Sequence, residues 1–306
     1  MSASTLASFS DDLAAIVERT GASVVALHAR RSYPSSGVVL QPGVLVTAAH
    51  TLRREEGIAA IHADGSSSAA TLVGVDPSTD IAVLRLDSPA GGTPVSFGDG
   101  ASVKPGHFVV AISRETDGSL AASAGIVART GGEWRTWRGG HIDRRIQLDG
   151  GLWTGFSGGP VVDSHGSVIG IGTSALSRGR AVVIPGSVLT RVSEQLLARG
   201  RVSHAYIGAA VQPVELPSSL RTQLNAANTQ GLIVISTVPQ GPAELAGLTL
   251  GDTLLTLDGK PLADVDDLKS ALNADQIGKA VKVTFLRGGQ LNAVDVSIGE
   301  RPQARY

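Results

Sequence analysis

The segment Gly155-Phe156-Ser157-Gly158-Gly159-Pro160 is the part of the chain best suited to chemistry. Glycines on both sides of a serine let the backbone fold tightly, so that the hydroxyl stands exposed and neighbouring N–H groups converge on a developing oxyanion. Taken alone, the string also suits a plain Gly-Ser loop, and it satisfies the G-x-S-x-G pattern of a strand-to-helix nucleophile elbow. Upstream, His50 follows Val44-Leu45-Val46-Thr47-Ala48-Ala49, a strand ending in small residues that admit a close-packed imidazole. Asp80 follows Asp76-Pro77-Ser78-Thr79 and opens Ile81-Ala82-Val83-Leu84-Arg85-Leu86, which draws its carboxylate toward a buried strand. A buried carboxylate needs a partner, and an imidazole N–H is a suitable one. Singly, His50 reads as a structural histidine and Asp80 as a turn carboxylate. Together with Ser157 they supply a nucleophile, a base that takes and returns its proton, and an acid that fixes the base's tautomer. General-base assistance of this kind is worth about 10²–10⁴-fold. Each oxyanion donor, here the N–H groups of Gly155 and Ser157, is worth about 10²–10³-fold.

Chain order separates this reading from the elbow. Elbow enzymes run serine, acid, histidine, whereas these residues run histidine, aspartate, serine. The downstream His165 and His204 fall in a hairpin-like turn and a linker, and no βαβ pattern surrounds Ser157.

These residues must be positioned by strands. From residue 23 to 184 the chain is mostly short β-branched runs punctuated by Gly, Pro, Asp and Ser, at 23–27, 37–40, 81–86, 108–112 and 168–171. Regular short strands with turn signals predict an antiparallel barrel or sandwich, and this length accommodates two small barrels. A helix over 11–20 precedes them, with Phe9, Leu13, Ile16 and Val17 on one stripe, Asp11 as cap and Gly21 as stop. Another follows, with Val188, Leu189, Val192 and Leu196 on one face and Gly200 beyond its end. All seven His and all three Trp lie before residue 205, whereas four of the five Lys follow it. That shift marks a second unit, with strands at 206–211, 232–238, 253–257 and 281–286, a turn at Asp258-Gly259 and a helix at 264–272.

Thr47-Ala48-Ala49-His50, Asp76-x-x-Thr79-Asp80-Ile81-Ala82-Val83-Leu84 and Gly155-x-Ser157-Gly158-Gly159-Pro160 resemble the three motifs of trypsin-like serine proteases. Their form, with Val192-x-x-Gln195-Leu196-Leu197 leading to Gly200-x-Val202, is similar to the HtrA/Deg branch. Tyr206-Ile207-Gly208-Ala209, Gly241-Pro242-Ala243-x-x-Ala246-Gly247-Leu248-x-x-Gly251-Asp252 and Asp258-Gly259-Lys260-Pro261-Leu262 resemble the PDZ domain of that family. The resemblance implies a mainly β fold: two six-stranded antiparallel β-barrels of the chymotrypsin type, then one C-terminal PDZ domain, a β-sandwich or barrel with two helices. The expected bounds are an N-terminal helical segment at 1–22, a protease domain at 23–200, a linker at 201–204, a PDZ domain at 205–300 and a tail at 301–306. The implied activity is ATP-independent cleavage of unfolded or damaged proteins, without cofactor or metal. Backbone N–H groups of Tyr206, Ile207, Gly208 and Ala209 would capture peptide C-termini beside a free strand edge. The resemblance further implies a homotrimer assembled through the N-terminal segment, where Phe9 is the apolar residue to test.

The chain departs from the family at Phe156, where an Asn is usual. The loop thereby loses a polar tether, which motivates an alternative: a protease-derived peptide-binding or chaperone-like protein with impaired hydrolysis. The family's S1 wall corresponds to Arg180-Ala181-Val182-Val183-Ile184-Pro185, which offers no acid to a basic P1 residue, so small aliphatic P1 residues are expected. Gly170-x-Gly172-x-x-Ala175 mimics a dinucleotide fingerprint, but a β-run rather than a phosphate-binding helix follows it. His141-x-Asp143 lacks a nearby third ligand. Trp134 and Trp137, amid Gly131, Gly132, Gly139 and Gly140, suit either a mobile loop or an apolar patch over a barrel seam.

Composition narrows the rest. Of 306 residues, 42% are hydrophobic and 17% charged, which supports a packed core. A net charge of −1 with no long basic run lacks the footprint of a nucleic-acid binder. With no Cys there are neither disulfides nor thiolate metal sites. No apolar run approaches the roughly 18–20 residues of a membrane-spanning helix. Residues 1–10 lack the basic and apolar regions of a signal peptide, so the expected location is periplasm or cell envelope if a leader was removed, and cytoplasm if the chain is complete as written.

Overall fold

Short β-branched runs interrupted by glycine and aspartate fold into antiparallel strands throughout this mainly β protein. The computed structural model describes residues 5–29, 33–54, 56–88, 92–98, 100–177, 179–218, 220–221, 229–272 and 274–301. Two units emerge, Met1–Val202 and Ser203–Tyr306.

In the first unit, β1 (Val24–His28), β2 (Ser35–Gln41), β3 (Val44–Ala48), β4 (Ile58–Ile61), β5 (Ser67–Asp76) and β6 (Ile81–Leu86) close a six-stranded barrel in the order β1-β2-β3-β6-β5-β4. Its interior is filled by Val25, Leu27, Val39, Leu45, Ile58 and Leu84. A second barrel is built from β7 (Phe108–Arg114), β8 (Leu120–Gly131), β11 (Arg145–Leu148), β12 (Pro160–Asp163), β13 (Val168–Thr173) and β14 (Val182–Pro185), ordered β11-β14-β13-β12-β7-β8. The short pair β9 (Trp134–Arg135) and β10 (His141–Ile142) forms a separate ribbon.

Helix α1 (Thr5–Gly21) begins well before residue 11. Nothing in 5–10 breaks a helix, so the apolar stripe runs upstream and Asp11 lies inside the helix rather than capping it. Ile16 packs with Val110, Ile112 and Val162 of the second barrel, and the Phe9 ring meets Phe108 edge-on at 5.4 Å. Arg114 fastens the end of this helix, its buried guanidinium donating to the carbonyls of Gly21 and Val24 at 2.6 Å each. Burial holds that guanidinium below its ordinary pKa. Helix α2 (Gly186–Arg199) ends at Gly200, whose N–H returns to the Leu196 carbonyl. Its Val188, Leu189, Val192 and Leu196 are fully buried against Val44 and Val83 of the first barrel and Ile171 and Ile184 of the second. Each such side chain contributes roughly 1.5–3 kcal/mol before entropy is charged, so α2 clamps the two barrels together.

In the second unit the predicted strand at 206–211 is divided, into β15 (Ala205–Tyr206) and β16 (Ala209–Glu215). The remaining strands are β17 (Gln230–Thr237), β18 (Thr253–Leu257), β19 (Lys260–Pro261), β20 (Ala280–Arg287), β21 (Gln290–Ser297) and β22 (Gly299–Glu300). The main sheet runs β16-β17-β18-β20-β21, with β19 paired to β18 and β15 paired to β22. Asp258 and Gly259 both take positive φ and close the β18–β19 hairpin, as an Asp-Gly pair between strands predicts. The short helices α3 (Pro242–Leu245) and α4 (Val265–Ala271) pack on the sheet through Ala243, Leu268 and Ala271. Asp264 caps α4, and Asp267 returns the bond in a capping box. The buried Asp252 is raised by burial, but hydrogen bonds from Arg287 and the Thr249 N–H outweigh this and hold its carboxyl below the usual range. The expected 301–306 tail lies, beyond residue 301, outside the described residues.

Candidate active site

Strand β3 runs into a tight turn at Ala49–Thr51, which the Thr51 hydroxyl closes onto the Ala48 carbonyl at 2.7 Å. His50 therefore stands at a strand end. Asp80, at the β5–β6 turn, grips it twice: Oδ1 accepts the His50 backbone N–H and Oδ2 faces His50 Nδ1, both at 2.8 Å. The Thr173 hydroxyl, from β13 of the second barrel, donates to the same Oδ2. Asp80 is 3% exposed and its three donors satisfy a carboxylate withdrawn from water. With Nδ1–H engaged on the carboxylate, Nε2 is the acceptor that a base requires.

The turn that presents Asp80 is itself built from side chains. Asp76 accepts from the Ser78 N–H at 3.0 Å, the Ser78 hydroxyl at 2.7 Å and the Thr79 hydroxyl at 2.6 Å. This winds 77–80 tightly enough to place Asp80 at φ 61, which Asp tolerates better than most residues. On its outer side the Thr136 hydroxyl donates to the Ser78 carbonyl at 2.6 Å and accepts from the Gly140 N–H at 3.1 Å. The Trp134–Trp137 segment is thus fastened to the aspartate turn. Trp134 is half-buried beside the α2 cluster, whereas Trp137 is 70% exposed with the Arg138 guanidinium 4.5 Å over its ring.

Ser157 lies between β11 and β12 on two linked turns. The Phe156 N–H donates to the Trp153 carbonyl at 3.2 Å, and the Gly159 N–H donates to the Phe156 carbonyl at 3.0 Å. The third residue of each turn is a glycine at positive φ, Gly155 at 94° and Gly158 at 87°, the geometry a type II turn demands. Gly158 meets a second constraint, since a Cβ there would collide with the Ser36 carbonyl and Thr47 Oγ1. That contact seats the serine loop against Thr47 and Ala48, just ahead of His50. Ser36 ties it further, donating its N–H to the Ser157 carbonyl at 3.2 Å and its hydroxyl to the Gly155 carbonyl at 2.9 Å. Among the described residues, the N–H groups of Gly155 and Ser157 donate no intramolecular hydrogen bond. Ser157 and His50 share none either, and in ligand-free sites this bond commonly closes only when substrate arrives. Because Ser157 sits in a loop of an antiparallel barrel, the strand-to-helix elbow reading is excluded.

The structure adds Thr173, Thr136 and Ser36 to the residues singled out in the sequence. Each reads in sequence as an ordinary strand or loop position, because the partner that ties it to the site, Asp80, Ser78 or Gly155, lies 93, 58 or 119 residues away in the chain. Residues 181–184 are buried and β14 carries most of that wall. Leu152, half-buried, packs against Gly172. His141 pairs with Glu133 at 3.1 Å, and Asp143 accepts from the Ser187 hydroxyl.

In the second unit, the carbonyls of Ile207 and Gly208 are engaged, accepting from Ala243 at 2.7 Å and Val238 at 2.8 Å. The N–H groups of Ile207 and Gly208 donate no hydrogen bond among the described residues. Tyr206 lies on β15 and Ala209 opens β16, an edge strand paired only with β17 in the main sheet. Val265, Leu268 and Leu272 of α4 and its cap share an apolar cluster with Ala209 and Val211. The arrangement offers unspent donors, a free strand edge and apolar walls, as strand-addition recognition of a peptide end requires.

Residues 35–171 match the trypsin-like peptidase domain family and residues 205–298 match the PDZ domain family. A probable periplasmic serine endoprotease, DegP-like, of Rhizobium meliloti is 33% identical over 277 residues, covering 89% of this chain and 54% of that protein. A protein of the same description from Pseudomonas putida is 31% identical, covering 89% of this chain and 57% of its own length. The chain thus spans about half the length of these curated relatives. Among solved structures, the serine endoprotease from Yersinia pestis superposes with TM-score 0.75 at 28% identity, covering 94% of this chain and 97% of the other. The HtrA-type protease AlgW, solved with a decapeptide, gives 0.76 at 27% identity, covering 95% and 99%. With two closed six-stranded barrels, the motif order His50, Asp80, Ser157 and a PDZ domain following, the chain belongs to the HtrA/DegP family of trypsin-like serine proteases.

Proposed function

We propose that this chain is an ATP-independent serine endoprotease that cleaves unfolded or damaged proteins with His50, Asp80 and Ser157, and that its PDZ domain binds peptide C-termini at 206–209. The observation that carries the reading is Asp80 holding His50 through both the backbone and ring N–H groups, beside a serine loop with two unspent N–H donors. In this mechanism Ser157 Oγ forms a bond to the scissile carbonyl carbon while its proton passes to His50 Nε2. The carbonyl oxygen, now an oxyanion, takes hydrogen bonds from the Gly155 and Ser157 N–H groups. Collapse breaks the C–N bond and the leaving amine takes the proton from His50. Water then attacks the acyl-enzyme, giving its proton to His50, which returns it to Ser157 as the acid departs.

We place the protease domain at 23–200, the linker at 201–204, the PDZ domain at 205–300 and a tail at 301–306, after an N-terminal segment at 1–22. The relatives are named as periplasmic, which supports action in the periplasm or cell envelope. Among the described residues, no helix is long and apolar enough to cross a membrane. The proposed trimer uses the N-terminal segment, where Leu6 and Phe9 are exposed. Sedimentation that finds only monomer would remove that assembly.

The test is digestion of casein with and without a peptide bearing an apolar C-terminus. Cleavage after small aliphatic residues, altered in rate by the peptide, is the expected result. Arg and Lys at P1 should be disfavoured, because the buried wall at 181–185 leaves a cation without a counter-charge. Peptide binding without hydrolysis in any condition favours the binding-protein reading instead.

A further inference from the structure

Phe156 stands next to the proposed nucleophile, yet the residue is only 7% exposed and belongs to the interior cluster of the second barrel, with Val109, Val127, Ile146, Val161 and Ile169. Its backbone is shared by both turns of the loop: its N–H closes the first onto Trp153 and its carbonyl closes the second onto Gly159. The two N–H groups that stay unspent belong to its immediate neighbours, Gly155 and Ser157. Within 153–159, the span of the two turns, Phe156 is the side chain that reaches the rigid core. A ring in a close-packed interior resists rotation about its own peptide units, because displacing it opens a void and exposes apolar surface.

We infer that Phe156 is the positioning residue of the nucleophile loop: its ring, seated in the barrel interior, holds the two turns in the form that leaves the Gly155 and Ser157 N–H groups available to an oxyanion. The apolar seat takes the place of the polar tether that the sequence lacks at this position. This inference rests on the protease reading for its kinetic consequence and on the turn geometry alone for its structural one. An amide at 156 would have to be buried without a partner in an apolar cluster or expelled into solvent, and expulsion unwinds both turns.

The experiment compares Phe156→Asn, Phe156→Leu and Ile146→Ala with the wild-type chain, reading kcat and KM on a peptide substrate and hydrogen exchange at the Gly159 amide. Phe156→Asn is expected to lower kcat about 100-fold with KM changed less than about threefold, as loss of an oxyanion donor does. Its Gly159 amide should exchange at least about tenfold faster, since the bond closing the second turn opens more often. Phe156→Leu, still apolar, should stay within about tenfold of the wild-type kcat. Ile146→Ala truncates the same cluster from β11, so it should lower the melting temperature while leaving kcat and the Gly159 exchange unchanged. An equal or higher kcat and unaltered exchange in Phe156→Asn would overturn the inference, as would an Ile146→Ala variant that loses as much kcat. If Ser157→Ala hydrolyses as fast as wild type, the protease reading fails, and the exchange measurement still decides the tether.

Discussion

Ser157→Ala is expected to lower kcat/KM on an unfolded protein by about 10⁴–10⁶-fold, and the double variant with His50→Ala to lower it no further. The reason is that the serine and histidine act as one unit: without Oγ there is no proton for Nε2 to take, and without Nε2 the hydroxyl is a poor nucleophile. The residual rate should come from the Gly155 and Ser157 N–H groups, which remain in place because alanine keeps the backbone turn. Release of acid-soluble peptides by wild type, both single variants and the double variant measures this directly. Additive losses would show that the two residues work separately, and an active Ser157→Ala would remove Ser157 as nucleophile.

Asp80→Asn should reduce kcat by about 10⁴-fold near neutral pH while leaving the chain folded. Asn is the informative replacement because position 80 has φ 61, where Asn, like Asp, is tolerated and alanine adds strain. The amide keeps one oxygen but places an NH2 group among three donors: the His50 N–H, the His50 ring and the Thr173 hydroxyl. The imidazole is then driven to carry its proton on Nε2, where it cannot accept from serine. Steady-state kinetics together with a melting curve distinguish this from unfolding. A loss smaller than tenfold with an unchanged melting curve would show that Asp80 does not set the tautomer.

How much of this was legible in the sequence follows from where each interaction is made. His50, Asp80 and Ser157 stand out in the sequence because each occupies a strand end or turn with its own local signature. The Asp258-Gly259 hairpin and the α4 cap are equally local. Thr173 was silent, since a threonine in a β-run looks like any strand residue until β13 meets the aspartate turn across 93 residues of chain. Thr136 and Ser36 were silent for the same reason. Phe156 reads in sequence as a departure that removes a polar tether; its burial among Val109, Val127 and Ile169 is not legible there, because those neighbours lie on strands distant in the chain. The start of α1 is less legible: Asp11 resembles a cap, but the apolar stripe continues upstream of it, with Phe9 against Phe108.

His50 and Asp80 hang from the first barrel, Ser157 and Thr173 from the second, and Ser36 and Thr173 are the stitches between them. With the roles proposed for these residues, neither half folded alone holds base and nucleophile together. On that proposal, a chain emerging from synthesis carries an imidazole and carboxylate with no nucleophile until residues well beyond 157 have been made and docked. Proteolysis, on the same proposal, is the logical product of two completed folding events and so arrives last.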